Sequence, residues 1–369
     1  MIDSEQELAE RLEEARRLGC TAIDVEMVWE RTFYPALGVI QLGFSRQQCH
    51  LVDAVALEGR LAPLAELLSG PTVKVLHDAL QDLTVLRMAT GASPRSIFDT
   101  RIAAGFAGLA HTISLRDLLQ ELFGVELEKT ETRTDWLRRP LSPTQIGYAE
   151  DDVRYLVEAR EELLRRARAA GVEDWLQEEM AGLDDPALYE ERDPREAFRR
   201  VKGYGKLDRR QLAVLRELAV WRETAARELD RPRGQVASDK LLLLLAQRQP
   251  VEMEDLREIR SLRRHLRTRG EALLRAVRAG LDLEPGDWPS GPPRIRHGRE
   301  VEMRSRAASE RVRERASARG IDEGLVATRG EVRSLVREGP EKEAGCNRLA
   351  GGWRWTLVGE EVAAEFHRP

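Results

Sequence analysis

The stretch TAIDVEMV, residues 21–28, alternates apolar and acidic side chains with the period of a β-strand. Side chains two apart on a strand share a face, so Asp24 and Glu26 point one way while Ile23, Val25 and Met27 point the other, towards a core. Two carboxylates side by side repel each other, and a cation relieves that repulsion. A second spacing answers the first. In IGYAEDDVRYL, residues 146–156, Tyr148 and Asp152 lie four apart, which on an α-helix stacks them on one face. Asp82, within ALQDLTVL at 79–86, is the candidate for a further acidic wall.

Around these stretches the chain reads as α/β followed by helices. Ser4 and Glu7 form a capping-box pattern ahead of Leu8, Leu12 and Ala15, giving a first amphipathic helix that ends near Gly19. TAIDVEMV, ALGVIQLGF (36–44) and QCHLVDAV (48–55) are three short strands in quick succession, expected to pair mostly antiparallel. From residue 61 helical and strand patterns alternate, with VKVLH (73–77) and SIFDT (96–100) as strands, which is the order that builds parallel βαβ units. Asp78 reads as the N-cap of the helix that carries Asp82. The helix that carries Tyr148 and Asp152 has a marked start, with Ser142 as N-cap, Pro143 at the first position and Gln145 completing a capping box. The division expected is an α/β domain over 1–170, a connector over 171–204, a helical domain over 205–283, a linker over 284–299 and a last helical domain over 300–369.

Bulk composition narrows the class. A chain of 369 residues, 42% hydrophobic, exceeds what one core usually supports. Three scattered cysteines without a CxxC pair argue against a disulfide framework or a thiolate zinc site. No run approaches the roughly 20 apolar residues of a membrane span, and the N-terminal stretch lacks a signal-like core. The expectation is a cytoplasmic protein that does not enter membranes and works as a monomer. Residues 1–190 hold 20 Lys+Arg against 34 Asp+Glu, and residues 191–369 hold 39 against 30. An acidic half that concentrates cations and a basic half that attracts a polyanion fit together, although a solvated surface rich in arginine would give the same asymmetry.

The chemistry these residue types suit is phosphodiester hydrolysis. It needs an activated water, neutralised phosphoryl oxygens and help for the leaving oxygen, which two divalent ions roughly 4 Å apart supply. Carboxylates without Cys or His suit hard ions, magnesium or manganese. With an ordinary pKa near 10, Tyr148 is expected to orient water and not to deprotonate it. His77, at the end of a strand, reads as a satisfied, half-buried histidine, and Tyr155 as core.

Several stretches together resemble a known family. DVEMVWERTFYPALGVIQL, LHDALQDL, IFDTRIAA and GVELEKTETRTDWLRRPLSPTQIGYAEDDVRYL are similar to the ribonuclease D family, 3′-to-5′ exoribonucleases with a ribonuclease H-like fold. Residues from about 205 to 282 resemble the helicase-and-RNase-D C-terminal (HRDC) domain, and 300–366 a diverged second copy. The resemblance implies that Asp24, Glu26, Asp82 and Asp152 hold two divalent ions, Mg or Mn, with Asp24 bridging both and Tyr148 beside the attacking water. It also implies an RNA partner, chiefly tRNA precursors and other small structured RNAs, trimmed to nucleoside 5′-monophosphates. The family's usual DTE reads DVE here, which removes a hydroxyl but no ligand. EDD before Val153 offers Asp151 as a competitor, and the four-residue spacing from Tyr148 selects Asp152. Arg263, Arg264, Arg267 and Arg269 in SLRRHLRTRG fit RNA-phosphate contacts, or a solvated helix face. Two other functions keep the same residues: a DNA 3′–5′ exonuclease of the Werner helicase type, and a non-catalytic RNA-binding scaffold.

Overall fold

The computed structural model describes residues 1–127, 134–259, 262, 266–292 and 298–367. Its first elements are α1 (Glu5–Leu18), β1 (Cys20–Val28), β2 (Ala36–Ser45), β3 (Gln48–Asp53), α2 (Ala62–Ser69), β4 (Val73–Leu76), α3 (Leu80–Thr90) and β5 (Ile97–Asp99). There follow α4 (Thr100–Phe106), α5 (Leu115–Phe123), α6 (Pro143–Arg154), α7 (Leu156–Ala169) and α8 (Glu173–Gly182). The five strands form one mixed sheet in the order β3-β2-β1-β4-β5. β2 and β3 run antiparallel, whereas β1, β4 and β5 are parallel neighbours. The expected α/β class therefore holds.

Each face of the sheet has its own core. Ile23 and Val25 of β1 pack with Leu8 and Leu12 of α1, Leu64 and Leu67 of α2 and Leu83 of α3, with half-buried Met27 against them. On the other face Ala22 and Val75 meet Ala103 of α4, Val153 of α6, Leu156 and Leu163 of α7 and Leu176 of α8. The apolar side of TAIDVEMV faces its core as the alternation predicts, and Asp24 and Glu26 stay half-buried on the opposite side. Ser4 caps α1 by accepting from the Glu7 amide at 3.3 Å, and Gly19 ends it at φ 72°.

The remaining helices are α9 (Arg209–Glu228), α10 (Arg233–Val236), α11 (Asp239–Arg248), α12 (Met253–Arg257), α13 (Leu266–Leu281), α14 (Arg299–Ala318), α15 (Glu323–Val326) and α16 (Arg329–Glu338), followed by short helical segments to Phe366. They divide between two compact units. Residues 191–295 form one unit, joined by 28–36 from the connection between β1 and β2. In it Asp208 and Gln211 form the reciprocal cap of α9, and Leu212, Leu215 and Leu218 build a core with Leu242, Leu245, Leu273 and Val277.

Residues 296–369 belong with 1–27 and 37–190 in the other unit. Val312, Leu325, Leu335 and Trp353 share one core with Phe106, Leu163 and Leu176. Polar contacts reinforce the join. Arg354 donates from both terminal nitrogens to the two Glu179 oxygens at 2.7 Å, Trp353 Nε1 donates to Glu179 at 2.9 Å, and His111 meets Asp322 at 2.7 Å.

Candidate active site

Three elements bring the acids together. β1 supplies Asp24 and Glu26 from one face, α3 supplies Asp82 from its first turn, and α6 supplies Tyr148 and Asp152. The turn into α3 is not capped by Asp78, as the sequence had predicted. Asp78 adopts φ 66° and its carboxylate pairs with Arg101. The N-cap position falls on Ala79, whose side chain offers no cap, and Asp99 at the end of β5 holds the turn instead: its oxygens accept from the Asp78 and Ala79 amides at 3.1 and 2.8 Å, and from Arg101 N at 2.8 Å as the cap of α4. One buried carboxylate thus fixes two helix starts, and a neighbouring strand outcompetes the local candidate.

The start of α6 is as read from sequence. Gln145 N donates to Ser142 Oγ at 3.1 Å and Ser142 N to Gln145 Oε1 at 2.9 Å. What presses α6 against the sheet is glycine in β2. A Cβ at Gly43 would lie 2.6 Å from the Val153 carbonyl oxygen, and one at Gly38 would lie 2.6 Å from that of Trp136. Absent side chains at these two positions let α6 and the 134–141 segment lie directly on β2. Arg139 locks that segment with two hydrogen bonds to Asp53, at 2.7 and 2.6 Å, and others to Gly38 O and Trp136 O at 2.8 Å. The ring of buried Trp136 lies 6.1 Å from that of Tyr148. No local pattern in the sequence singles out Asp53 or Arg139 for this role.

Asp24, Glu26 and Asp152 each offer a carboxylate oxygen, and these oxygens lie within 4.8 Å of one another. Asp82 is not one of these three converging residues, but it lies near enough for the charges of Asp24 and Glu26 to act on it. Burial, reinforced by the neighbouring negative charges, holds Glu26 up at about 8 and raises Asp82 and Asp152 well above the usual carboxylate range. Asp24 is raised too, by burial. Four such carboxylates cannot all ionise unless positive charge joins them. Oxygens at this separation, without thiolate or imidazole, fit hard divalent cations.

Neighbours of the quartet behave differently. Asp151 turns away, half-exposed, and accepts from Arg154 Nε at 2.8 Å. Burial first, then Asp152, Glu26 and Asp24, push the Tyr148 hydroxyl upwards from its ordinary value. Both nitrogens of His77 are engaged, with Thr100 Oγ1 at 3.0 Å and Ile113 O at 3.1 Å, which is the satisfied histidine expected. Tyr155 is half-buried under the Arg46 guanidinium at 5.1 Å. Among the proposed RNA contacts, Arg263, Arg264 and the Arg267 side chain lie outside the described residues. Arg269 donates to the Val236 carbonyl.

Residues 1–168 match the 3′–5′ exonuclease family and residues 211–277 the HRDC domain, which makes this a 3′–5′ exonuclease with an HRDC domain. The chain belongs to the ribonuclease D family. It is 38% identical to ribonuclease D of Desulfotalea psychrophila over 355 residues, 96% of this chain and 95% of that one. It is 39% identical to ribonuclease D of Pseudomonas paraeruginosa over 297 residues, 79% and 77% of the two chains. The crystal structure of Escherichia coli RNase D, described as an exoribonuclease involved in structured RNA processing, superposes with a TM-score of 0.86 at 29% identity over 100% of this chain and 99% of that one. The protein is a 3′–5′ exoribonuclease, and the DNA-exonuclease and scaffold readings give way to it. Among the described residues no helix is long and apolar enough to cross a membrane.

Proposed function

We propose that the protein trims 3′ extensions of tRNA precursors and other small structured RNAs, one nucleoside 5′-monophosphate at a time, using two divalent ions at Asp24, Glu26, Asp82 and Asp152. The observation that carries this reading is the convergence of the Asp24, Glu26 and Asp152 oxygens within 4.8 Å from a strand and a distant helix. Magnesium or manganese held there would neutralise phosphoryl charge and lower the pKa of a bound water.

The chain's own groups have separable tasks. Asp24 shares its strand face with Glu26, and its negative charge acts on Asp82. Tyr148 holds the attacking water by hydrogen bond and does not take its proton, because its surroundings favour the neutral phenol. Trp136, packed near the Tyr148 ring and tied down through Arg139, keeps that hydroxyl in place. Water oxygen adds to phosphorus as the bond to the 3′ oxygen breaks, leaving a new 3′-hydroxyl on the shortened RNA. RNA enters by its phosphates, for which the arginine-rich residues 191–369 supply the field.

The test is a tRNA precursor with a short 3′ trailer, incubated with the purified protein and magnesium or manganese. Stepwise shortening that stops near the mature end, with mononucleotide release and inhibition by chelator, is expected. Equal digestion of any unstructured RNA without a stop would remove the tRNA assignment. We place the protein in the cytoplasm as a monomer, which light scattering of the purified chain checks.

A further inference from the structure

In the unit formed by residues 28–36 and 191–295, three arginines meet at one cleft of about 530 Å³. Arg200 comes from the 3-10 turn Pro194–Arg200, Arg222 from α9 and Arg233 from α10, and Glu223, Ser238 and Asp239 complete the wall. The acids are already committed. Glu223, almost fully buried, accepts twice from Arg233 Nε at 2.6 and 2.8 Å, and Asp239 accepts from Arg222 Nη1 at 2.7 Å and from the Lys202 amide at 2.9 Å.

The donors are not. Arg222 is 4% exposed, yet both of its hydrogen bonds leave from Nη1, to Asp239 and Ala237 O, and its Nε has no partner. Arg233 bonds only through Nε, so its terminal nitrogens remain available. The Arg200 side chain makes no hydrogen bond or ion pair among the described residues, and its neighbours act on it only by charge and burial. Ser238 accepts from the Leu241 amide at 3.3 Å as the cap of α11, which leaves its hydroxyl proton to donate.

A buried guanidinium with idle donors costs free energy that a structural ion pair alone does not explain. A cleft with spare donors from three guanidinium forks, and with its carboxylates engaged, complements a tetrahedral oxyanion. We propose that this cleft is a phosphate site of the helical domain, with Arg200 as the entry residue and Arg222 and Arg233 as its floor. The group bound is a phosphate, carried by the backbone of the RNA substrate or by a free phosphomonoester. The site's RNA arm rests on the exoribonuclease activity, and its phosphate arm does not.

The field points the same way. Burial lowers Arg200 first, Glu223 offsets this, and Arg233, Arg192 and Arg222 lower it further by repulsion, as in an anion site with surplus positive charge. Arg233 also lies 4.4 Å over the ring of Phe33, so the floor is braced by the segment that follows β1.

The experiment compares wild type, Arg200→Ala, Arg200→Glu and Arg200→Lys as full-length proteins. RNA affinity is measured over a salt series without divalent ions, and inorganic phosphate and AMP are titrated separately. Arg200 has no partner to lose, so the variants should fold, which thermal melting confirms. For RNA occupancy, Arg200→Ala should weaken binding about ten-fold irrespective of sequence and reduce the log–log salt slope by about 0.7–0.9, the loss of one phosphate contact. Arg200→Glu should weaken it more, and Arg200→Lys should recover part of it. For a free phosphomonoester, AMP or phosphate should bind wild type and lose affinity in Arg200→Ala while RNA binding is unchanged. Unchanged RNA affinity and slope, with no phosphate or AMP binding to wild type, would overturn the site. A wild type that releases no mononucleotides from RNA would instead overturn the exoribonuclease activity, so the two failures are distinguishable.

Discussion

Arg139 and Asp53 are 86 residues apart in sequence, yet Arg139 grips the Asp53 carboxylate from two nitrogens, at 2.7 and 2.6 Å, beneath the segment that backs Tyr148. Asp53 is 5% exposed and also accepts from the Val55 and Ala56 amides, so its charge stays in the fold even if Arg139 is removed. Arg139→Ala should therefore destabilise its unit by about 3 kcal/mol, mainly through the unpaired buried carboxylate. The same contact holds Asp53 below the usual carboxylate range. A depressed acid stabilises the fold above its unfolded pKa, near 4, and loses that contribution as pH falls through its folded value. The gap between wild type and variant should thus be full at pH 7 and shrink below about pH 4. Urea melts at several pH values measure it, and a gap that widens in acid would contradict the assignment.

Asp151 and Asp152 make a sharper test because they are adjacent. Asp152→Asn removes one of three converging carboxylates and should lower turnover more than about 100-fold, beyond what loss of an outer partner to a metal costs. Asp151→Asn removes a half-exposed pair with Arg154, worth about 1 kcal/mol, and should leave turnover within about two-fold. Mononucleotide release from a labelled RNA compares them directly. The reverse order of effects would place the wrong face of α6 at the site.

Much of this site is legible in the primary structure because its spacings are local. A period of two sets Asp24 and Glu26 on one face, and a period of 3.6 sets Tyr148 above Asp152, so neither needs knowledge of tertiary neighbours. The Ser142 cap lies within the same four residues that signal it. What stayed hidden depends on partners that the chain brings from afar. Asp99 holds the turn into α3 across 20 residues, so a local reading chose Asp78. Amphipathic helices in 296–369 announce a buried face but not what covers it, and only the fold sets Trp353 beside Phe106, their rings 5.0 Å apart. The arginine cleft is likewise assembled from three elements whose charges look solvated one at a time.

Metal binding should carry a pH signature. Burial and the crowding of negative charge raise Glu26 to about 8, and its three partners are raised as well. Raised acids favour the metal-free fold below their unfolded values, near 4, and that contribution is lost as pH climbs towards 8. Divalent ions reverse this, because they need the deprotonated forms and displace the remaining protons on binding. The rise in melting temperature on adding manganese should therefore be small at pH 6 and several degrees larger at pH 8.5. Calorimetry at pH 7 should also detect proton release in buffers of different ionisation enthalpy. An increment that is flat or falls with pH would mean the carboxylates are already ionised without metal.

Gly43 offers a test of position without touching any polar group. A methyl there would sit 2.6 Å from the Val153 carbonyl oxygen and 3.0 Å from its Cβ, so α6 must lift from β2 or β2 must bend. Since Val153 follows Asp152 directly, the lift displaces the carboxylate that β1 cannot replace. Gly43→Ala should cost stability at the upper end of the ~1–3 kcal/mol typical of overpacking. Its turnover should fall further than stability explains, since displacements of about 1 Å from productive geometry cost on the order of 100-fold. The check is to assay the variant well below its melting temperature, beside Gly91→Ala. Gly91 ends α3 at φ 73° with open space around its missing side chain, so that change strains backbone without moving α6. If the two variants lose activity only in proportion to lost stability, close contact between α6 and β2 does not set the site's geometry.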